Sequence, residues 1–340
     1  MRSPARKFLV LSLATALALA ACGGAASPSA SQSTEKTIFF GTGTTQAEVY
    51  LLPVLTIGRK ILADQGISLE YAALSNDEVV AAAVDRGRVD VALISLLGVE
   101  RAVKAGLHMK WTLTNETQNT FVLMVNKDVT DLSQLKGKKI GLQDPTSLSS
   151  IVLPGLMKAG GLGPDDYEVV YLAGSGARAA ALAAGSLDAT ILFRQVAVNL
   201  ASESEGKFVI WGGGAATLDP MMWEGFVMSD AFRQNKTLAT AFVEAALQSY
   251  EQFYAGDPQA LADAALAEER PETAGLDPAE TAADFKAYQD MKLFPTDGGL
   301  GQALFDGMNQ LLVEGAQLTQ DQLLAYADVI DQSFVTAANQ

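Results

Sequence analysis

The chain has 340 residues, 49% of them hydrophobic and 19% charged, with 24 Lys and Arg against 39 Asp and Glu. That apolar fraction excludes disorder over most of the chain, and the length suggests about two domains. The formal charge of −15 excludes a basic nucleic-acid surface, and one Cys and one His exclude an intrachain disulfide or a Cys/His metal cluster.

The chain opens on an export signal. Arg2, Arg6 and Lys7 precede a short apolar run from Phe8 to Ala20, which suits a signal-peptide core better than a membrane span. The run ends in Leu19-Ala20-Ala21-Cys22, which resembles the lipobox of bacterial lipoproteins and makes Cys22 the expected lipidation site. Residues 1–21 then form the leader, and their removal leaves a charge of −18. Residues 22–35 are small, polar and Pro-interrupted, the composition of a flexible tether.

From Lys36 the pattern is α/β, and it occurs twice. Lys36–Phe40, Ile67–Tyr71 and Val89–Ile94 are predicted strands, separated by helices ending near Leu62 and Asp85, with a further helix over Val99–Ala105. Ser75-Asn76-Asp77-Glu78 is a capping box, and its carboxylates are expected to be solvated, as are Asp165 and Asp166. Lys138–Leu142, Tyr167–Leu172 and Leu187–Leu192 repeat the strands, with helices over Leu148–Lys158 and Ala177–Ala184. Gly87-Arg88-Val89-Asp90 and Gly185-Ser186-Leu187-Asp188 stand at the same joint in each copy. Helices are predicted over Leu238–Tyr254, Gln259–Glu268, Pro278–Met291, Gln302–Glu314 and Thr319–Ala338.

The segments Asp131–Gly141, Thr146-Ser147 and Ala181–Ala189 resemble the second lobe of extracytoplasmic solute-binding proteins of ABC importers. The subgroup they resemble binds nitrate, sulfonates, taurine and thiamine precursors. Gln65–Glu70, Gly87–Ala92 and Ser229–Phe232 fit the first lobe of the same family. The resemblance implies a type II periplasmic-binding-protein-like fold: two α/β lobes, a ligand cleft between them and two crossover strands. The crossings fall near Thr120–Val125 and Glu224–Met228, giving lobe 1 as 36–122 with 227–340 and lobe 2 as 123–226. It also implies a lipid-anchored, extracytoplasmic monomer that delivers a small solute to ABC permease and ATPase subunits. No enzyme activity, cofactor, metal or nucleic acid is expected.

Ligands of open α/β sheets sit beyond the carboxyl ends of the strands. That rule selects Thr44 and Thr45 after the first strand, Ser95 after the third, and Thr146, Ser147 and Ser149 at a helix start suited to anions. Arg194 stands where relatives usually carry an acid, and a guanidinium there suits a carboxylate or sulfonate. Among the tryptophans, Trp223 precedes the second crossing and is expected in the cleft, while at least one other is core. His108 reads as solvated. A sulfonate, nitrate or organic carboxylate is therefore expected first, and an aromatic or heterocyclic vitamin precursor of pyrimidine or flavin type second. An enzyme on the same scaffold would need an activated nucleophile or an acid/base pair, and no such motif is visible.

Overall fold

A computed structural model of the chain describes residues 36–43, 47–211, 221–268 and 270–340. The leader, Cys22 and the tether lie outside these residues, as do Thr44 and Thr45. Among the described residues ten strands form two five-stranded sheets. The first sheet contains β1 (Lys36–Thr42), β2 (Ile67–Ala73), β3 (Val91–Ser95) and β4 (Met109–Thr114). The second contains β5 (Phe121–Asn126), β6 (Lys139–Leu142), β7 (Glu168–Tyr171), β8 (Ala189–Phe193) and β9 (Phe208–Ile210). The last strand, β10 (Glu224–Ser229), returns to the first sheet.

The strand orders are β2-β1-β3-β10-β4 and β7-β6-β8-β5-β9. In both sheets three strands are parallel, and the fourth runs antiparallel to the third. The repeated joint has a shared purpose. Gly87 and Gly185 take φ of 63° and 73°, turning each chain from a helix end into a central strand. The next acid then pairs with the neighbouring strand. Asp90 gives its N–H to the Phe39 carbonyl at 2.8 Å and takes the Phe39 N–H on Oδ2 at 2.9 Å. Asp188 makes the same two bonds with Lys139, each at 2.9 Å. Each carboxylate satisfies a backbone donor just ahead of the paired register with the next strand, which would otherwise depend on water.

The chain leaves the first sheet after Thr114 and enters the second at Phe121, so this passage occupies Asn115–Thr120. The Thr120–Val125 run, read from sequence as the crossing itself, lies almost wholly within β5. Five apolar residues in succession suit a strand flanked on both edges, and β5 has β8 and β9 as neighbours.

The first sheet is backed by the Lys236–Ala255 helix, whose apolar face carries Phe242 against Phe226 of β10, ring centroids 5.5 Å apart. Phe226 in turn meets Phe40 of β1 at 5.9 Å, and Trp111 of β4 is fully buried. The Pro258–Leu266, Pro278–Met291 and Gln302–Glu314 helices follow, close to their sequence spans. The single helix expected over Thr319–Ala338 is not formed. Its residues make three short turns instead, Gln320–Gln322, Tyr326–Val329 and Ser333–Ala338. Tertiary bonds break it: Ile330 bridges to Trp111 at the edge of β4, Asp331 donates to the Trp111 carbonyl, and Leu324 donates to Glu100. Among the described residues no helix is long and apolar enough to cross a membrane.

Candidate functional site

A cavity of about 710 Å3 opens between residues of the two sheets. Its walls come from strand ends and helix starts. Gly43, Ser95 and Glu224 belong to the first-sheet side, and Phe121, Gln143, Thr146 and Phe193 to the second. This is the crevice where open α/β sheets hold ligands, because helix starts and strand ends there carry free polar backbone groups.

Asp77 dominates the first wall. The helix Asp77–Asp85 is capped by Asn76, whose side chain accepts from the Val79 N–H, so the cap lies one residue past Ser75. Asp77 is thereby free to point inward. Its Oδ2 accepts from the Ser95 hydroxyl at 2.5 Å and from the Ser95 N–H at 3.2 Å. The fit depends on Gly98, where a Cβ would stand 2.6 Å from the same oxygen. Burial pushes the Asp77 carboxyl above its ordinary pKa, against the opposing bonds from Ser95. The expectation of a solvated Asp77 is therefore overturned: a local capping pattern cannot reveal that β3 will deliver a hydroxyl onto it.

A second acid borders the same space. Glu224, at the start of β10, lines the cavity, and its pKa is raised well above the usual range. Burial is the main cause, followed by the charges of Glu116 and Asp77. Glu116 sits beside it, since the Asn115 and Glu116 N–H groups both donate to the Glu224 carbonyl. Burial raises the Glu116 carboxyl to about 7. Like charges gathered in one desolvated wall favour proton retention or a cationic, hydrogen-bond-donating guest. Aromatic rings face this wall. Phe121 and Phe193, cross-strand neighbours in β5 and β8, lie 4.2 Å apart between centroids, and Trp223 is half-buried alongside.

The helix Leu148–Ala159 starts at the opposite wall, with Thr146 and Ser147 lining the cavity. Its hydroxyls are occupied by the preceding turn. Thr146 donates to Asp144 Oδ1 at 2.9 Å, and Ser147 and Ser150 donate to the Asp144 carbonyl at 2.9 and 2.5 Å. Ser149 is fully buried, shares a 2.7 Å bond with Ser147 and accepts from the Gln143 N–H. The surplus of hydroxyls thus shapes a turn around Asp144, two on its carbonyl and one on its carboxylate.

Of the residues singled out from sequence, the structure brings Ser95, Thr146, Ser147 and Trp223 to the cavity wall. Ser149 lies behind it. Arg194 stands apart, exposed at the start of the Arg194–Glu203 helix, in a small crevice with Thr120, Asp284 and Tyr288. Its N–H donates to the Thr120 carbonyl, which extends the β5–β8 ladder by one position beyond Phe193. Arg101 is the basic residue among the described cavity-lining groups, and the carboxylates Asp77, Glu78, Asp144 and Glu224 oppose it. His108 is exposed and pairs with Asp85. Asp77, Glu224 and Glu116 were not legible as site residues; only the strand-end position of Glu224 hinted at one.

Residues 62–260 match the family model described as NMT1/THI5 like. The chain belongs to that family. A comparison with curated proteins finds no significant sequence match. Among solved structures, the chain resembles the ligand-binding component of an ABC-type import system from Staphylococcus aureus, solved with zinc bound. That pair shares 16% identity and a TM-score of 0.67, covering 89% of this chain and 99% of the other. The alkanesulfonate-binding protein SsuA from Xanthomonas axonopodis pv. citri, bound to MOPS, gives 17% and 0.63, covering 86% and 97%. The periplasmic nitrate-binding protein NrtA from Synechocystis PCC 6803 gives 13% and 0.63, covering 90% and 89%. At these identities the likeness establishes the fold, which is that of the periplasmic binding proteins.

Proposed function

We propose that this NMT1/THI5-like protein is the extracytoplasmic solute-binding component of an ABC importer, anchored by lipid on Cys22 and handing its solute to a permease. It acts without chemistry on the solute. Lobe 1 (36–122 with 227–340) and lobe 2 (123–226) act as the two halves of a clamp, and a guest that touches both favours the closed state.

Asp77 and Glu224, bordering one cavity beside Phe121, Phe193 and Trp223, carry the reading of the solute. Desolvated acids next to flat apolar rings suit an aromatic heterocycle bearing amino or protonated ring-nitrogen donors, such as an aminopyrimidine. Ser95, Thr146, Ser147 and Trp223 are the further proposed contacts, and Thr44 and Thr45, which follow β1 in the sequence, are proposed with them. Arg101 supports the second reading, a sulfonate, nitrate or carboxylate, because it offers a cavity-lining cation.

Calorimetric titration with aminopyrimidines, flavins, alkanesulfonates, nitrate and small carboxylates separates the two. An aminopyrimidine should bind tightest, and Asp77→Asn and Glu224→Gln should each weaken it at least tenfold, or about 1.4 kcal/mol. A sulfonate or nitrate as the tightest ligand, unaffected by either substitution, overturns the heterocycle reading and leaves the solute-binding one in place.

A further inference from the structure

Beyond the two passages between the sheets, a third connection joins the sides of the cavity. It comprises the Gln302–Glu314 helix, which packs on the second-sheet helix Leu148–Ala159, and the segment that follows it. On the first-sheet side it is held by the helix Leu96–Lys104, the one that begins beside Ser95. Arg101 donates to the Gln317 carbonyl at 3.3 Å, Lys104 to the Asp321 carbonyl at 3.0 Å, and Glu100 accepts from the Leu324 N–H at 3.1 Å. On the second-sheet side the Gln317 side chain donates to the Pro145 carbonyl at 2.8 Å, one residue before Thr146. One residue therefore touches both rims, through its carbonyl on one side and its amide on the other.

The local backbone is built for this placement. The helix ends in a Schellman turn: Gln317 donates to the Leu312 carbonyl and Ala316 to the Val313 carbonyl. The left-handed position, φ 55°, falls on Ala316, where glycine is the usual choice. The glycine is one residue earlier. A Cβ at Gly315 would stand 3.1 Å from the Cα and carbonyl oxygen of Ile151, in the second-sheet helix Leu148–Ala159. The sequence thus accepts backbone strain at Ala316 and keeps its small residue where the other side of the cavity presses closest. A contact of that kind is part of the fold and not a chance touch.

We propose that residues 315–324 form a strap across the cavity, with Gln317 as its latch, restraining separation of the two sheets. The strap closes the circuit between the two helices whose starts line the cavity. Opening must break the Gln317–Pro145 bond and lift Gly315 from Ile151, together with the packing of the Gln302–Glu314 helix on Leu148–Ala159, while the bonds from Arg101, Lys104 and Leu324 keep the strap on the first-sheet side. This holds whatever solute the cavity takes, and it requires no bound guest.

The test measures the distance between the two sides in the ligand-free protein. Spin labels are placed on Arg86→Cys and Glu203→Cys, both exposed, in a Cys22→Ser background. Gln317→Ala removes the donor to Pro145; Gln317→Glu keeps the shape but supplies acceptors only when ionised. Both should give a longer and broader distance distribution than the parent, while a thermal melt reports an intact fold. The Glu variant should return toward the parent distribution at a pH low enough to protonate its carboxyl. Distances unchanged or shortened in both folded variants would overturn the strap.

Discussion

The Ser95 hydroxyl donates to Asp77 Oδ2 at 2.5 Å and accepts from the Gly98 N–H at 3.0 Å, so a single side chain ties two helix starts at the cavity wall. Its two bonds serve different ends. One satisfies an orphan donor of the helix Leu96–Lys104, and the other stabilises a half-buried carboxylate.

Ser95→Ala should accordingly cost more at high pH than at low pH. The lost cap costs about 1 kcal/mol at any pH. The lost bond to Asp77 matters most when that carboxyl is ionised, and its removal should drive the raised Asp77 pKa higher still. Urea unfolding of both proteins at pH 4 and pH 8 measures the difference. An equal loss at both pH values would show that the bond does not depend on the Asp77 charge.

Glu100 makes a second pH prediction. It is buried beneath the strap, and burial raises its carboxyl from 4.5 to about 7, against hydrogen bonds from Asn309 and the Leu324 N–H and the charge of Lys104. Below pH 4.5 both folded and unfolded states hold the proton, so the group is neutral to stability there. Between 4.5 and about 7 the unfolded state releases it first, so stability falls as pH rises and levels off above 7. The total is about 3 kcal/mol at 1.36 kcal/mol per unit. Glu100→Gln should remove most of that slope and gain stability at pH 8 relative to pH 4.5. A wild-type slope retained in the variant would assign the effect to other acids, with Glu116 and Glu224 next in line.

The repeated joint can be tested by symmetry. Asp90→Ala and Asp188→Ala each strip a backbone donor of its partner, at Phe39 or Lys139, and each should cost about 1–2 kcal/mol. Asp188 also pairs with the exposed Lys138 at 3.4 Å, which adds little. The two sites lie in different sheets with no shared partner, so the double variant should equal the sum within about 0.5 kcal/mol. Denaturant titration of the four proteins decides it; a strong departure from additivity would mean that the two joints are energetically coupled or that the two sheets unfold in separate transitions.

The proposed lipid anchor is checked in cells. Cys22→Ser should abolish lipid labelling and shift the protein from the membrane fraction to the soluble one. Unchanged membrane retention would remove the lipoprotein reading while leaving the cavity untouched.

The sequence alone determined the alternation of strands and helices, the doubled joint at Gly87–Asp90 and Gly185–Asp188, and the family. These depend on short-range signals: apolar runs of strand length, glycines that end helices, and residues that recur at fixed spacing. It also placed Ser95, Thr146, Ser147 and Trp223 at the cavity wall, because strand ends and helix starts in an α/β sheet mark the crevice before any side chain is placed. Only the tertiary structure decided the character of that crevice. Asp77 reads locally as a cap residue, and it becomes a half-buried, hydrogen-bonded acid because β3 brings Ser95 onto it. Arg194 reads as a strand-end cation, and the fold places it in a separate small crevice beside Asp284 and Tyr288 of another helix. The Thr319–Ala338 helix pattern yields to bonds with Trp111 and Glu100, residues more than two hundred positions away in the chain. A carboxylate's hydration and a guanidinium's neighbours are set by what packs against them, and that packing joins residues that no local pattern connects.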